Sequence, residues 1–334
     1  MADIVTFSSK NHPFNKGTLQ VDGYTLPYEE FGNPHGIPIV CLHGGPGGGS
    51  SPEMANNFDL NAFRVIIYDQ RGAGKSTPKG GLENNTPDLL VGDLEKLKNH
   101  LGIDQWHVKG SSWGSTLALL YAEKYPASVK SLTLQGIYLL RQKDQDLSYQ
   151  ATDIIQPETM KRFREFLPEN ERGNIEEAYY QRLMNPDPAV HMPAAREISR
   201  FGNAIYPLHR PAEKDLDHFD PATLGSLRIE WSIIHDHKLT PEDRILKNID
   251  KIRHIPTMIV QGRYDLTCPP QIAFDLKQAF PEAQLQMALG GHAAGDPEMK
   301  QALIDAYNRI KDNGSPMVKK KPSLWQRSGM GLKI

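Results

Sequence analysis

Trp106-His107-Val108-Lys109-Gly110-Ser111-Ser112-Trp113-Gly114 decides the fold, together with the helix-compatible Ser115 to Lys124 that follows it. A short β-type run enters a G-x-S-x-G pattern and a helical segment leaves it, the setting in which a serine is carried on a sharp strand-to-helix turn. Glycine on either side has a steric reason. Side chains there would collide with the neighbouring strand and helix, and the turn holds the serine itself in strained backbone geometry. Ser112 is therefore the candidate nucleophile.

On both sides of this turn short apolar runs recur, at Ile37 to Leu42, Phe63 to Tyr68, Val129 to Leu134, Thr257 to Val260 and Leu285 to Leu289. Such runs suit strands buried on both faces. The N-terminal part differs: alternation from Thr18 to Val21, an Asp22-Gly23 turn and a return through Tyr24 to Phe31 predict an antiparallel hairpin. Leu90, Leu94, Leu97 and Leu101 make one apolar stripe on a helix that stops at Gly102. Strands alternating with helices imply an α/β fold with a mostly parallel sheet and flanking helices. From about Leu140 to Thr240 the β runs give way to charged, helix-compatible sequence, which predicts an inserted helical cap. The expected organisation is a first part of the core over 1–139, the cap over 140–240, a second part of the core over 241–313, and a flexible basic tail over 314–334 that contains Lys319-Lys320-Lys321.

A serine hydroxyl is a poor nucleophile at neutral pH; it needs an imidazole base, and the imidazole needs a carboxylate to fix its tautomer. Asp265, in Gly262-Arg263-Tyr264-Asp265, stands just after one late strand, and His292, in Gly290-Gly291-His292, just after the last. Either alone reads as an ordinary loop residue. Together they follow Ser112 in the order Ser, Asp, His of the α/β-hydrolase fold, at the strand ends where open α/β sheets place their sites. His43-Gly44-Gly45-Pro46-Gly47-Gly48-Gly49 follows the Ile37 to Leu42 strand, where backbone N–H groups face the oxyanion formed when the serine attacks a carbonyl. Gly45 N–H is the expected donor, with Trp113 N–H as its partner. Losing such a donor costs roughly a hundredfold to a thousandfold in rate.

Two other motifs carry less. Asp69-Gln70-Arg71-Gly72-Ala73-Gly74-Lys75-Ser76 ends like a phosphate-binding loop, but Asp69 stands where that loop needs glycine and no helix follows at once, so a structural turn is expected. His235-Asp236-His237 lacks a further Cys or His at metal spacing, and neither a metal nor another cofactor is expected. The 334 residues hold 38 Lys and Arg against 40 Asp and Glu, a formal net charge of −2. No global basic field draws such a chain to nucleic acid or an anionic membrane, which leaves a small peptide or small acyl substrate as the expected partner. Met1-Ala2-Asp3-Ile4-Val5 has neither the basic flank nor the apolar run of a secretory signal, and no stretch approaches a membrane span, so a cytoplasmic protein is expected. Cys41 and Cys268, far apart, read as free thiols of a reducing compartment. The sequence does not specify an oligomeric state.

The blocks His43 to Gly49, Asp69 to Ser76, Asn84-Asn85-Thr86, Gly110 to Ala118, Gly136 to Arg141 and Gly262 to Asp265 together resemble the prolyl aminopeptidases (proline iminopeptidases), α/β-hydrolases that remove N-terminal proline from peptides. The resemblance implies a helical cap over the triad and an acidic cap site for the substrate's free amino or imino group. It puts Glu230, in Arg228-Ile229-Glu230, at one family glutamate and marks Gly44 and Glu230 as substrate-binding. Carboxylates facing an N-terminal cation are physically sensible in an exopeptidase, since they read one charge and exclude internal peptide bonds.

The chain departs from the family in places. The family's second glutamate follows a tryptophan in a Trp-x-x-Trp-Glu-Gly block, whereas here the stretch is Ile198-Ser199-Arg200-Phe201-Gly202-Asn203, with Glu197 a turn earlier as the nearest substitute. Ser111 replaces a glycine, and Cys268 sits one position from a family cysteine, where it would make activity sensitive to thiol reagents. The reading is a serine hydrolase resembling a prolyl aminopeptidase. An esterase, lactonase or amidase with altered cap specificity, or a non-catalytic binding protein on the same scaffold, are the alternatives. A serine on the elbow disfavours aspartate-nucleophile chemistry.

Overall fold

A computed structural model describes residues 12–237 and 241–318. The Lys319-Lys320-Lys321 tail lies outside them. The hairpin is present as β1 (Asn15–Val21) and β2 (Tyr24–Gly32), joined at Asp22 and Gly23, both at positive φ as this tight turn requires. The remaining strands are β3 (Ile37–Leu42), β4 (Phe63–Tyr68), β5 (Trp106–Ser111), β6 (Val129–Gln135), β7 (Thr257–Gly262) and β8 (Gln284–Ala288). They form one eight-stranded sheet in the order β1-β2-β4-β3-β5-β6-β7-β8, parallel from β4 onward.

Burial explains the unbroken apolar runs. Val40 and Leu42 point into one core, while Ile39 and Cys41 point into another on the opposite face, and all four are fully buried. The first core is closed by α1 (Pro87–His100), α2 (Trp113–Lys124) and, beside β7, α10 (Pro270–Ala279); the second is closed by α11 (Pro297–Asn313). The Leu90, Leu94 and Leu97 stripe of α1 is buried as expected, and Gly102 follows its C-cap at φ +64°.

Between β6 and β7 the chain forms α3 (Gln142–Ile155), α4 (Pro157–Glu165), α5 (Ile175–Met184), α6 (Pro188–Ile205), α7 (Glu213–Leu216), α8 (Leu224–Asp236) and α9 (Arg244–Lys247). Helices α3, α4, α5, α6 and α8 share an apolar cluster of their own, in which Phe163 stacks on Tyr179 and on Phe201. Helix α8 joins it to the sheet: Trp231 packs into the helical cluster, and Ile229 and Ile233 pack into the core over β3 and β5. Among the described residues no helix is long and apolar enough to cross a membrane.

The Asp69–Ser76 loop is a turn tied to its own first side chain. Asp69 accepts from the backbone N–H groups of Ser50 and Lys75 at 2.6 and 2.8 Å, and Ser76 Oγ donates to its carbonyl. Arg71, with a fully buried side chain, donates through Nε and Nη2 to Asp93 on α1 at 2.5 and 2.7 Å and again to Asp22 in the hairpin turn. One guanidinium thus clamps three segments beneath the sheet's C-terminal edge. Removing the buried partner leaves the guanidinium only the half-exposed Asp22 as counter-charge, so Asp93→Ala should lower stability by up to about 3–5 kcal/mol, read from the midpoint of urea denaturation at constant m-value.

Candidate active site

Strand order reverses at β3, which has β4 on one side and β5 on the other. In open α/β sheets the crevice at such a switch point, beyond the strand C-termini, is where ligands bind. The loop after β3 (His43 to Gly49) and the turn after β5 (Ser112) therefore meet side by side.

Ser112 adopts φ 56° and ψ −126°, a conformation that a side-chain-bearing residue holds only when its surroundings impose it. A Cβ on Gly110 would meet Gly114 O at 2.2 Å, and one on Gly114 would meet Leu42 O at 2.3 Å, so neither position tolerates a side chain. The turn is pinned by Ser112 N–H donating to Gln135 O at 2.9 Å and by Ser115 Oγ donating to Ser112 O at 2.6 Å.

Asp265 and His292 come together. His292 Nδ1 lies 2.8 Å from Asp265 Oδ2; a carboxylate can only accept, so the proton sits on Nδ1 and Nε2 is left free. Asp265 is held in turn by the Cys268 N–H at 2.7 Å and by Gln261 Nε2 at 3.1 Å. Gln261 also accepts from Ile137 N–H at 3.0 Å, and Gln135 Nε2 donates to His292 O at 2.8 Å. Gly136, at φ +59°, lies against the pair; a Cβ there would stand 3.0 Å from His292 Cε1. Ser112 and His292 line the same cavity. No Ser112–His292 hydrogen bond is present among the described residues, and the serine hydroxyl lies against the Cys268 thiol instead. Serine–imidazole hydrogen bonds often tighten only when substrate is bound. Burial pushes the Cys268 thiol well up, which keeps it protonated and poorly reactive.

Trp113 is the first residue of α2 and Gly45 lines the cavity; neither backbone N–H has an acceptor among the described residues. Two free donors beside a serine can receive a developing oxyanion. Gly44 packs against the nucleophile, where a Cβ would stand 3.2 Å from Ser112 Cβ, but it does not itself line the cavity. His43 sets the loop: Gln70 N–H donates to its Nε2, which leaves the proton on Nδ1 towards Gly44 O at 2.9 Å. Gln70 closes the frame by donating to His43 O and accepting from the Trp113 indole at 2.8 Å.

The cavity, about 710 Å³, lies between these loops and the helices inserted after β6. Glu230, on α8, lines it, makes no hydrogen bond or ion pair among the described residues, and has its pKa pushed up to about 7 by burial. Gly202 lines it with open space around its Cβ position. Glu197 does not substitute for a carboxylate there: it is paired with Arg162 at 3.2 Å and faces a separate cavity. His235 is stacked on Tyr180 and held between Glu177 and Asp236, an arrangement that ties α5 to α8. Sequence reasoning gave no role to Gln70, Gln135 or Gln261, because a glutamine at a strand end carries no spacing signal of its own.

A family model described as the alpha/beta hydrolase fold matches residues 37–298. The chain is 43% identical over 307 residues to a proline iminopeptidase of Arabidopsis thaliana, covering 90% of this chain and 80% of that protein. It is 42% identical over 302 residues to one from Neisseria gonorrhoeae, covering 89% and 96%. A solved bromoperoxidase from Bacillus anthracis superposes with a TM-score of 0.60 at 19% identity, over 90% of this chain and 97% of that one, a likeness of fold alone. The chain therefore belongs to the alpha/beta hydrolase fold family and, within it, to the family of the proline iminopeptidases.

Proposed function

We propose that the protein is a serine aminopeptidase that releases N-terminal proline, or another small residue, from peptides through an acyl-enzyme. The observation that carries this reading is His292, paired with Asp265 at 2.8 Å, on the wall of the same cavity as Ser112, which is also lined by the Glu230 carboxylate, without a polar partner among the described residues. Ser112 Oγ attacks the carbonyl carbon of the first residue while His292 Nε2 takes its proton and Asp265 stabilises the imidazolium. The Gly45 and Trp113 N–H groups hold the oxyanion. His292 returns the proton to the departing amine as the C–N bond breaks; water, deprotonated by the same imidazole, then releases the amino acid. Glu230 binds the free ammonium and so restricts cleavage to the first peptide bond. The near-neutral charge balance and the two buried free thiols support a cytoplasmic setting with peptide substrates. The open space at Gly202 favours one second reading, an esterase or amidase for bulkier acyl groups.

Turnover of prolyl arylamide, N-blocked prolyl arylamide and a short-chain aryl ester separates these readings. The free-amine arylamide should be cleaved best, and Ser112→Ala should lower kcat on every substrate by at least about a thousandfold; preference for the ester or the blocked arylamide would favour the second reading.

A pH dependence follows from Glu230. Its pKa is raised, so the charge that attracts the ammonium is lost as pH falls through about 7. The substrate amine loses its own proton above about 8. The ratio of kcat/KM for prolyl arylamide to that for the ester should therefore peak between these values, and Glu230→Gln should abolish its acid limb. Taking the ratio cancels the titration of the shared base.

A further inference from the structure

The loop that carries His292 touches the inserted helices as well as the sheet. Its backbone is gripped from both sides: Gln135 Nε2, at the end of β6, donates to His292 O at 2.8 Å, and His292 N–H donates to Tyr206 O at 3.3 Å. Tyr206 directly follows α6, and its own N–H caps that helix on Gly202 O. The chain beyond it comes as close, since a Cβ on Gly291 would stand 2.8 Å from Leu208 N. The Asp265 loop has the same support: Ser148 Oγ on α3 donates to Leu266 O at 2.8 Å, and Leu266 shares an apolar cluster with Ile205 and Leu216.

The Tyr206 ring adds a contact to the imidazole itself. The ring centroids are 5.1 Å apart at an interplanar angle of 73°, the edge-to-face arrangement that aromatic rings prefer. Core packing does not account for this side chain, which is 50% exposed and lines the cavity that holds Ser112. Asp265 anchors the imidazole at Nδ1 alone, so the ring keeps freedom to tilt about that hydrogen bond. An aromatic neighbour packed against it limits the tilt and keeps Nε2 aimed at the serine hydroxyl, and small errors of aim cost much in rate. We propose that Tyr206 is a positioning residue for His292, so that the inserted helices set the aim of the base as well as forming a wall of the cavity. This rests on His292 serving Ser112, as in the reading above, and not on the choice of peptide over ester.

The test is steady-state turnover of a short-chain aryl ester and of prolyl arylamide by wild type, Tyr206→Phe and Tyr206→Ala, with His292→Ala as reference. Each kcat is expressed per serine labelled to completion by a fluorophosphonate, which removes any loss of folded enzyme from the comparison. Tyr206→Ala should lower kcat for both substrates about fivefold with KM nearly unchanged, and Tyr206→Phe, which keeps the ring, should stay within about twofold of wild type. A loss confined to the arylamide, or expressed in KM, would make Tyr206 a wall of the substrate pocket and overturn the proposal. Equal losses in the Phe and Ala variants, or no loss in the Ala variant, would overturn it too. If the ester shows the expected pattern while prolyl arylamide is not cleaved, the proposal stands and the aminopeptidase reading falls. If His292→Ala turns over the ester at the wild-type rate, the assignment of the base falls and the proposal with it.

Discussion

Everything at this site depends on the backbone of one residue. Ser112 sits at φ 56° on a turn between β5 and α2, and that turn exists only because Gly110 and Gly114 let strand, helix and the end of β3 approach closer than any side chain permits. The strain has a chemical use: it lifts the hydroxyl clear of the sheet and leaves the Trp113 N–H at the start of a helix, without a helical partner and free to receive charge. The reversal of strand order at β3 supplies the rest, because it sets the glycine loop beside the serine without any long excursion of chain.

A rigid polar frame surrounds this turn. Gln70, Gln135 and Gln261 each donate and accept, and between them they join the oxyanion loop, the serine turn, the aspartate and the histidine. Buried amides satisfied on both sides specify position more firmly than apolar contacts do, at the risk that any one left unpaired costs its full desolvation. The frame comes from the sheet edge, while Glu230 comes from the inserted helices. The two walls of the cavity thus come from different parts of the chain, joined through α8.

That division also explains what could be read in advance. The sheet, the hairpin, the α1 stripe and the candidates Ser112, Asp265 and His292 were legible because each has a local signature: period, turn chemistry, or place after a strand. The glutamine frame was not, since its members sit on three separate strand ends and loops and acquire meaning only when the sheet closes. In the inserted helices the packing of α4, α6 and α8, not any local pattern, decides which glutamate faces the cavity. Glu197, nearest in sequence to the missing family carboxylate, turns to Arg162, whereas Glu230 lines the cavity.

The central claim is that the strained turn presents Ser112 as the activated nucleophile of His292. Trapping with a fluorophosphonate, followed by intact-mass and peptide analysis, tests it most directly. The account predicts a single adduct on Ser112, absent in Ser112→Ala and formed at least about a hundredfold more slowly in His292→Ala. An adduct on another residue, or labelling of His292→Ala at the wild-type rate, would contradict it.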